Sequence, residues 1–136
     1  MSPPLVIELV GLRTQTGLNA REHHMARKRR VSAERQRVMT ELFMKFPDRS
    51  MPGFPDIGHI RKLAGPAPYV VTLTRKSPRL ADDDNVVGGL KAVRDQVGEV
   101  IGTGDGPKAP VSWRYGQEQA DWGVRIEIEG SLSAHP

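Results

Sequence analysis

YVVTLTRKSPRLADDDNVVGGLKAVRDQVGEVI, residues 69–101, holds a strand, a stop and a helix in one run. Tyr69 to Thr74 alternates apolar and polar side chains, the period of a half-buried strand. Ser77-Pro78 stops it, because proline donates no ladder hydrogen bond. Beyond the acidic run, Val86, Leu90, Val93, Val97 and Val100 recur at helical spacing, which predicts a helix from Asn85 to about Ile101 despite Gly88 and Gly89. On a wheel of about 100° per residue, Asp84, Gly88, Lys91 and Asp95 share a sector away from that apolar face.

Working outward, Leu5 to Leu12 is a short apolar run rich in β-branched residues and reads as a buried first strand. Thr14 to Asn19 is a polar loop. Arg21 to about Phe46 lacks glycine and proline and reads as a long helix, with Val31, Val38, Met39, Leu42, Phe43 and Phe46 as its apolar positions. Residues 47–68 carry five prolines and three glycines and read as a long connector. Gly102 to Pro110 is a turn-rich link. Val111 to Gln117 and Val124 to Glu129 read as closing strands, expected to form a hairpin through Ala120–Gly123, and Ser131 onward is a tail. The order β-α-β-α-β-β predicts an α+β fold with a small mixed sheet and two main helices, in one domain spanning residues 1–136.

Composition narrows the function. The chain has 136 residues and no cysteine, which excludes disulfide frameworks, thiolate metal sites and thiol nucleophiles. No apolar run approaches the ~20 residues of a membrane span. Met1-Ser2-Pro3-Pro4 lacks the basic-then-apolar layout of a secretory leader. A cytoplasmic protein without a membrane partner is therefore expected. The net charge is +4, but Arg21 to Arg37 alone carries seven basic residues against Glu22 and Glu34. From Asp82 to Asp105 the sign reverses, with six acids against Lys91 and Arg94. A basic arm suits phosphates and an acidic pocket suits a divalent cation, the inventory of a metal-dependent nuclease.

The residue types follow from that chemistry. Mg²⁺ takes oxygen ligands, commonly a few carboxylates plus waters, and Mn²⁺ is an acceptable substitute. Asp82 and Asp84, two apart in an extended segment, point the same way and can share an ion, with Asp83 and Asp95 as further candidates. Lys91 adds a positive charge for phosphoryl oxygens. Arg21, Arg27, Lys28, Arg29, Arg30 and Arg35 are the candidate DNA contacts.

The segment Leu80 to Asp95 resembles the signature of the RusA-like Holliday junction resolvases: D-x-D-N, then a lysine, then an aspartate four residues on, then an acidic turn. Leu18 to His24 and Ser112 to Gln117 resemble flanking segments of the same family, so the likeness covers most of the chain outside 47–68. The resemblance implies a metal-dependent homodimeric endodeoxyribonuclease of phage or prophage type, acting on four-way DNA junctions by paired nicks. By position, Asp82 and Asp84 match the D-x-D pair, Asp105 the distant carboxylate, Lys91 the essential lysine, and Asn85 and Asp95 the supporting polar positions. The chain departs from the pattern in two places. Asn85 and Lys91 are six apart where shorter members have three, and the turn Gly104-Asp105-Gly106 carries one aspartate where members often have two.

Blander readings compete. Asp84 or Asn85 can cap the helix while the other acids favour its positive end. Lys91–Asp95 can be a surface i,i+4 pair. Arg27 to Arg30 can be a solvated face, His23-His24 point about 100° apart on a helix, and Trp113, Tyr115 and Trp122 can be core or dimer contacts. The competing functions are a catalytically silent DNA-binding phage protein on the same scaffold and a structural phage protein. Magnesium-dependent cleavage separates the nuclease from the first, and salt-sensitive DNA binding separates both from the second.

Overall fold

The computed structural model describes residues 4–14, 24–101 and 111–130. Arg21, His23, Asp105 and the tail from Ser131 fall outside them. The elements run β1 (Leu5–Val10), α1 (His24–Lys45), α2 (Ile57–Ala64), β2 (Tyr69–Ser77), α3 (Asp83–Gly89), α4 (Lys91–Val100), β3 (Val111–Gln119) and β4 (Gly123–Glu129). This is an α+β fold on a four-stranded mixed sheet, ordered β1-β4-β2-β3.

Alternation makes the sheet two-faced. Ile7 and Leu9 of β1, Val124, Ile126 and Ile128 of β4, and Val71 and Leu73 of β2 are buried on one face and register with one another across the strands. Against them pack Val38 and Leu42 of α1, Ile60 of α2, Val86 of α3, and Val93, Val97 and Val100 of α4. The helical spacing of Val86, Leu90, Val93 and Val97 thus serves the core as read from the sequence. The opposite sheet face is polar. Glu8 accepts from Lys76 at 3.0 Å and Arg125 at 2.8 Å, and Arg125 also reaches Glu118 at 3.0 Å. Burial works to raise the Glu8 carboxyl pKa, but these hydrogen bonds outweigh it and hold the carboxyl below its ordinary value. The network therefore contributes above the ordinary carboxylate pKa and is lost as pH falls through the lowered one.

Three expectations are corrected. β3 and β4 do not form a hairpin: β3 runs parallel to β2, and β4 lies antiparallel between β1 and β2. The chain crosses over the end of β2, where Ala120 N–H donates to the Ser77 carbonyl at 3.0 Å. Pro78 ends the strand there, so the short link can pass to its other side. The predicted helix from Asn85 to Ile101 is two helices, α3 beginning at Asp83 and α4 at Lys91. They meet at Leu90, just after Gly88-Gly89, where glycine's low helix propensity weakens continuation. The 47–68 connector contains α2, whose Asp56 cap accepts from His59 N–H at 3.1 Å. A bridge between Pro47 and Pro55 closes the loop before it.

Glycine is required where α2 meets the end of β4. Gly65 caps α2 with φ at 99°, in the left-handed region that disfavours a side chain. Gly130 N–H donates to the Ala64 carbonyl at 2.7 Å. A Cβ on Gly130 would stand 2.5 Å from that same oxygen. Gly130→Ala should therefore cost about 1–3 kcal/mol through overpacking against fixed backbone. A urea midpoint equal to wild type would show that this junction yields instead.

Candidate functional site

The start of α3 is held from β3. Gln117 uses both ends of its amide on Ala81, accepting from the backbone N–H at 2.7 Å and donating to the carbonyl at 2.6 Å. In register, Gln117 lies opposite Arg75, on the helix-covered side of the sheet. This two-point tether fixes the residue before Asp82. Asp82 then takes the N-cap position with extended backbone, φ −66° and ψ 149°, and its side chain makes no capping hydrogen bond. Its carbonyl accepts from Asn85 and Val86 N–H at 2.9 and 3.0 Å. The capping explanation for the acidic run expected Asp84 or Asn85 at that position. Instead Asp82 occupies it, and its carboxylate has no hydrogen-bond or ion-pair partner among the described residues.

Asp82 and Asn85 line a cleft of about 590 Å³, together with Arg75, Arg79, Ala81 and Trp122. Arg75 is buried at 1% exposure. Its guanidinium donates to Thr14 Oγ1 at 3.1 Å, to Ser77 Oγ, and to the Arg79 carbonyl at 3.2 Å. Ser77 Oγ in turn donates to the Arg79 carbonyl. Trp122 lies with its ring centroid 5.3 Å from Arg75 and 5.6 Å from the exposed Arg13. Burial lowers the Arg75 pKa from its ordinary value. Sequence reading missed Arg75, Gln117 and Trp122 as site residues. The available signal was an arginine at an inward position of an otherwise apolar strand face, two residues beyond Leu73.

The remaining predicted residues separate into groups. Asp83 and Asp84 are exposed in the first turn of α3 and do not line the cleft. The extended-segment argument that aimed Asp82 and Asp84 in one direction fails, because the helix begins at Asp83 and advances by about 100° per residue. Lys91 opens α4 with its side chain 67% exposed and donates to Asp95 at 2.9 Å. Asp95 also receives Arg94 at 3.5 Å. The hydrogen bond with the Tyr115 side chain, against partial burial, and then the charge of Asp95 hold the Arg94 pKa above its ordinary value. Among the described residues, no three histidine, aspartate or glutamate side chains gather closely enough to enclose a metal ion.

Along α1, Arg27, Lys28 and Arg29 are exposed. Arg30 instead pairs with the buried Glu34 at 2.8 Å. Arg35 donates to Gln96 at 2.9 Å and pairs with Glu99, clamping α1 to α4. Arg30 and Glu34 stand at the i,i+4 spacing that a helical wheel shows, whereas the Arg35 partners on α4 are invisible to local sequence. Trp113 and Tyr115 are half-buried against the core, and Arg94 stands 5.9 Å from the Trp113 ring centroid. Among the described residues, no helix is long and apolar enough to cross a membrane. No family model, curated protein or solved structure matches the chain.

Proposed function

We propose that the chain is a RusA-like, metal-dependent endodeoxyribonuclease that resolves four-way DNA junctions by paired nicks. The observation that carries this reading is Asp82: a carboxylate at a helix start, unused as a cap, lining a cleft together with Asn85 and the buried Arg75. A carboxylate serving only the helix would bond the first-turn N–H groups. The donor set fits a hard cation, since the Asp82 carboxylate and the amide oxygen of Asn85 are both oxygen ligands on the cleft, and Mg²⁺ is commonly held by one or two carboxylates plus waters. Asp105 belongs to the same proposed set. Mg²⁺, or Mn²⁺ in its place, supplies Lewis-acid stabilisation of the charge that develops on the phosphodiester.

The chain's own residues carry the rest of the proposal. Gln117 holds Ala81 and so sets the direction of Asp82. The exposed Arg27, Lys28 and Arg29 of α1 give a cationic surface for the phosphate backbone. Lys91 is the proposed cation for the phosphoryl oxygens; it lies outside the cleft lining and rests on Asp95. A four-way junction has near two-fold symmetry, and two symmetric nicks need two clefts, which a C2 homodimer provides.

Incubating the protein with a synthetic four-way junction, with and without Mg²⁺, tests the reading. Paired nicks that need the metal support it. Salt-sensitive junction binding without cleavage would replace it with a silent DNA-binding protein. Lys91→Ala refines the assignment: a loss of ~10²-fold in rate is expected, the scale of one electrostatic contact to a transition state. A loss of a few-fold only, with the fold intact, would make Lys91 a surface partner of Asp95 and nothing more.

A further inference from the structure

We propose that Arg75 forms the floor of a phosphate-binding site in the Asp82 cleft, one that takes a nucleotide phosphate adjoining the bond to be cut. That the phosphate belongs to a DNA strand rests on the nuclease reading. The anion site itself rests on Arg75.

Every half-buried arginine among the described residues has a carboxylate within ion-pair distance. Arg30 has Glu34, Arg35 has Glu99, Arg37 has Glu41, Arg94 has Asp95, and Arg125 has Glu8 and Glu118. Arg75, the most buried of all at 1% exposure, has none among the described residues. Its acceptors are two hydroxyls and a backbone carbonyl, all neutral. These orient the guanidinium without balancing its charge, and a buried charge without a counter-charge is costly. The Trp122 face relieves part of that cost but supplies no negative charge.

The arrangement leaves one nitrogen of the fork without a hydrogen-bond partner among the described residues. Nε and Nη1 are occupied by Thr14, Ser77 and Arg79, whereas Nη2 makes no hydrogen bond among the described residues. Arg75 lines the cleft, so a ligand there can reach the guanidinium that solvent barely touches. A planar fork held by its other nitrogens is well prepared to bind a phosphate oxygen. Arg79 on the same cleft is exposed and adds a second cation. The cleft volume of about 590 Å³ suits a nucleotide-sized group. Asp82 lies in the same cleft and would repel an anion placed against it. Arg75 thus gives the phosphate a fixed position apart from the carboxylate.

The test uses ¹⁵N-labelled protein and follows the Arg75 Nε–H resonance, assigned with Arg75→Lys. Thymidine 3′,5′-bisphosphate is titrated in, with inorganic phosphate and thymidine as separate arms. The bisphosphate should shift this resonance saturably, inorganic phosphate should do so more weakly, and thymidine should not. Arg75→Lys should bind the bisphosphate at least ~10-fold more weakly, the loss expected when a forked charged contact becomes a point charge. Because Arg75 is buried, Arg79→Ala is run beside it as a surface variant, with an expected ~3-fold weakening and unchanged circular dichroism. A wild-type Arg75 resonance that ignores the bisphosphate, or a folded Arg75→Lys that binds it as tightly as wild type, overturns the site. Junction cleavage is measured on the same preparations. Cleavage with no bisphosphate response rejects the site and keeps the nuclease. A bisphosphate response without Mg²⁺-dependent cleavage keeps the site and rejects the nuclease.

Discussion

Asp82→Asn is expected to bind a four-way junction as well as wild type and to cut it at least ~10²-fold more slowly in Mg²⁺, the scale of one lost transition-state interaction. Asparagine keeps the shape of the side chain and removes its charge. Asp82 is exposed and makes no capping hydrogen bond, so the fold loses little by the change. Surface changes of that kind usually stay within about 0.5 kcal/mol, which separates a catalytic defect from unfolding. Removing a negative charge beside bound phosphates should leave affinity unchanged or tighten it. Asp83→Asn is the matched control: it is exposed one residue further on, outside the cleft, and should keep most of the activity. Equal, large losses in both variants would mean that the acidic run acts through its summed charge. Wild-type cutting by Asp82→Asn would remove the residue from the metal set.

Much of the fold could be read from local pattern, and the failures have physical causes. Tyr69 to Thr74 was legible because its inward residues Tyr69, Val71 and Leu73 are apolar. The strand continues to Ser77 with Arg75 and Ser77 still facing inward, but those side chains are polar, so the alternation signal ended three residues early. The same break concealed Arg75 as a site residue. The closing strands were found, yet their pairing was not. A three-residue link suggests a hairpin, and only the end of β2 at Ser77 shows why the chain crosses it instead. Asp82 was legible as chemistry, whereas its separation from Asp84 depends on where α3 starts. The roles of Gln117 and Arg35 depend on partners 36 and 61 or more positions away, and no local period encodes those distances.

Leu73→Ala should produce the largest loss of stability, about 2–5 kcal/mol for a large buried aliphatic residue cut back to a methyl. Leu73 is fully buried at the centre of the sheet. It registers with Ile126 of β4 on one side and Tyr115 of β3 on the other. The strands around it are joined by ladders on both edges, so neighbouring backbone cannot readily close the void, and the surrounding side chains lose contacts that nothing replaces. Thr72, one position earlier, faces the polar side of the sheet and is half-exposed. Thr72→Ala should cost well under ~1 kcal/mol apart from a small strand-propensity term. Urea denaturation of the two variants beside wild type reads the difference directly, provided the slopes agree. β2 also carries Arg75, and Ser77 supports the turn leading to Asp82. Leu73→Ala should therefore lose Arg75 packing and junction cleavage together, at the urea concentration where the sheet melts. Cleavage lost well before the sheet would show that the turn at 77–82 opens separately. A Leu73→Ala cost as small as that of Thr72→Ala would contradict the two-faced sheet on which the position of the cleft depends.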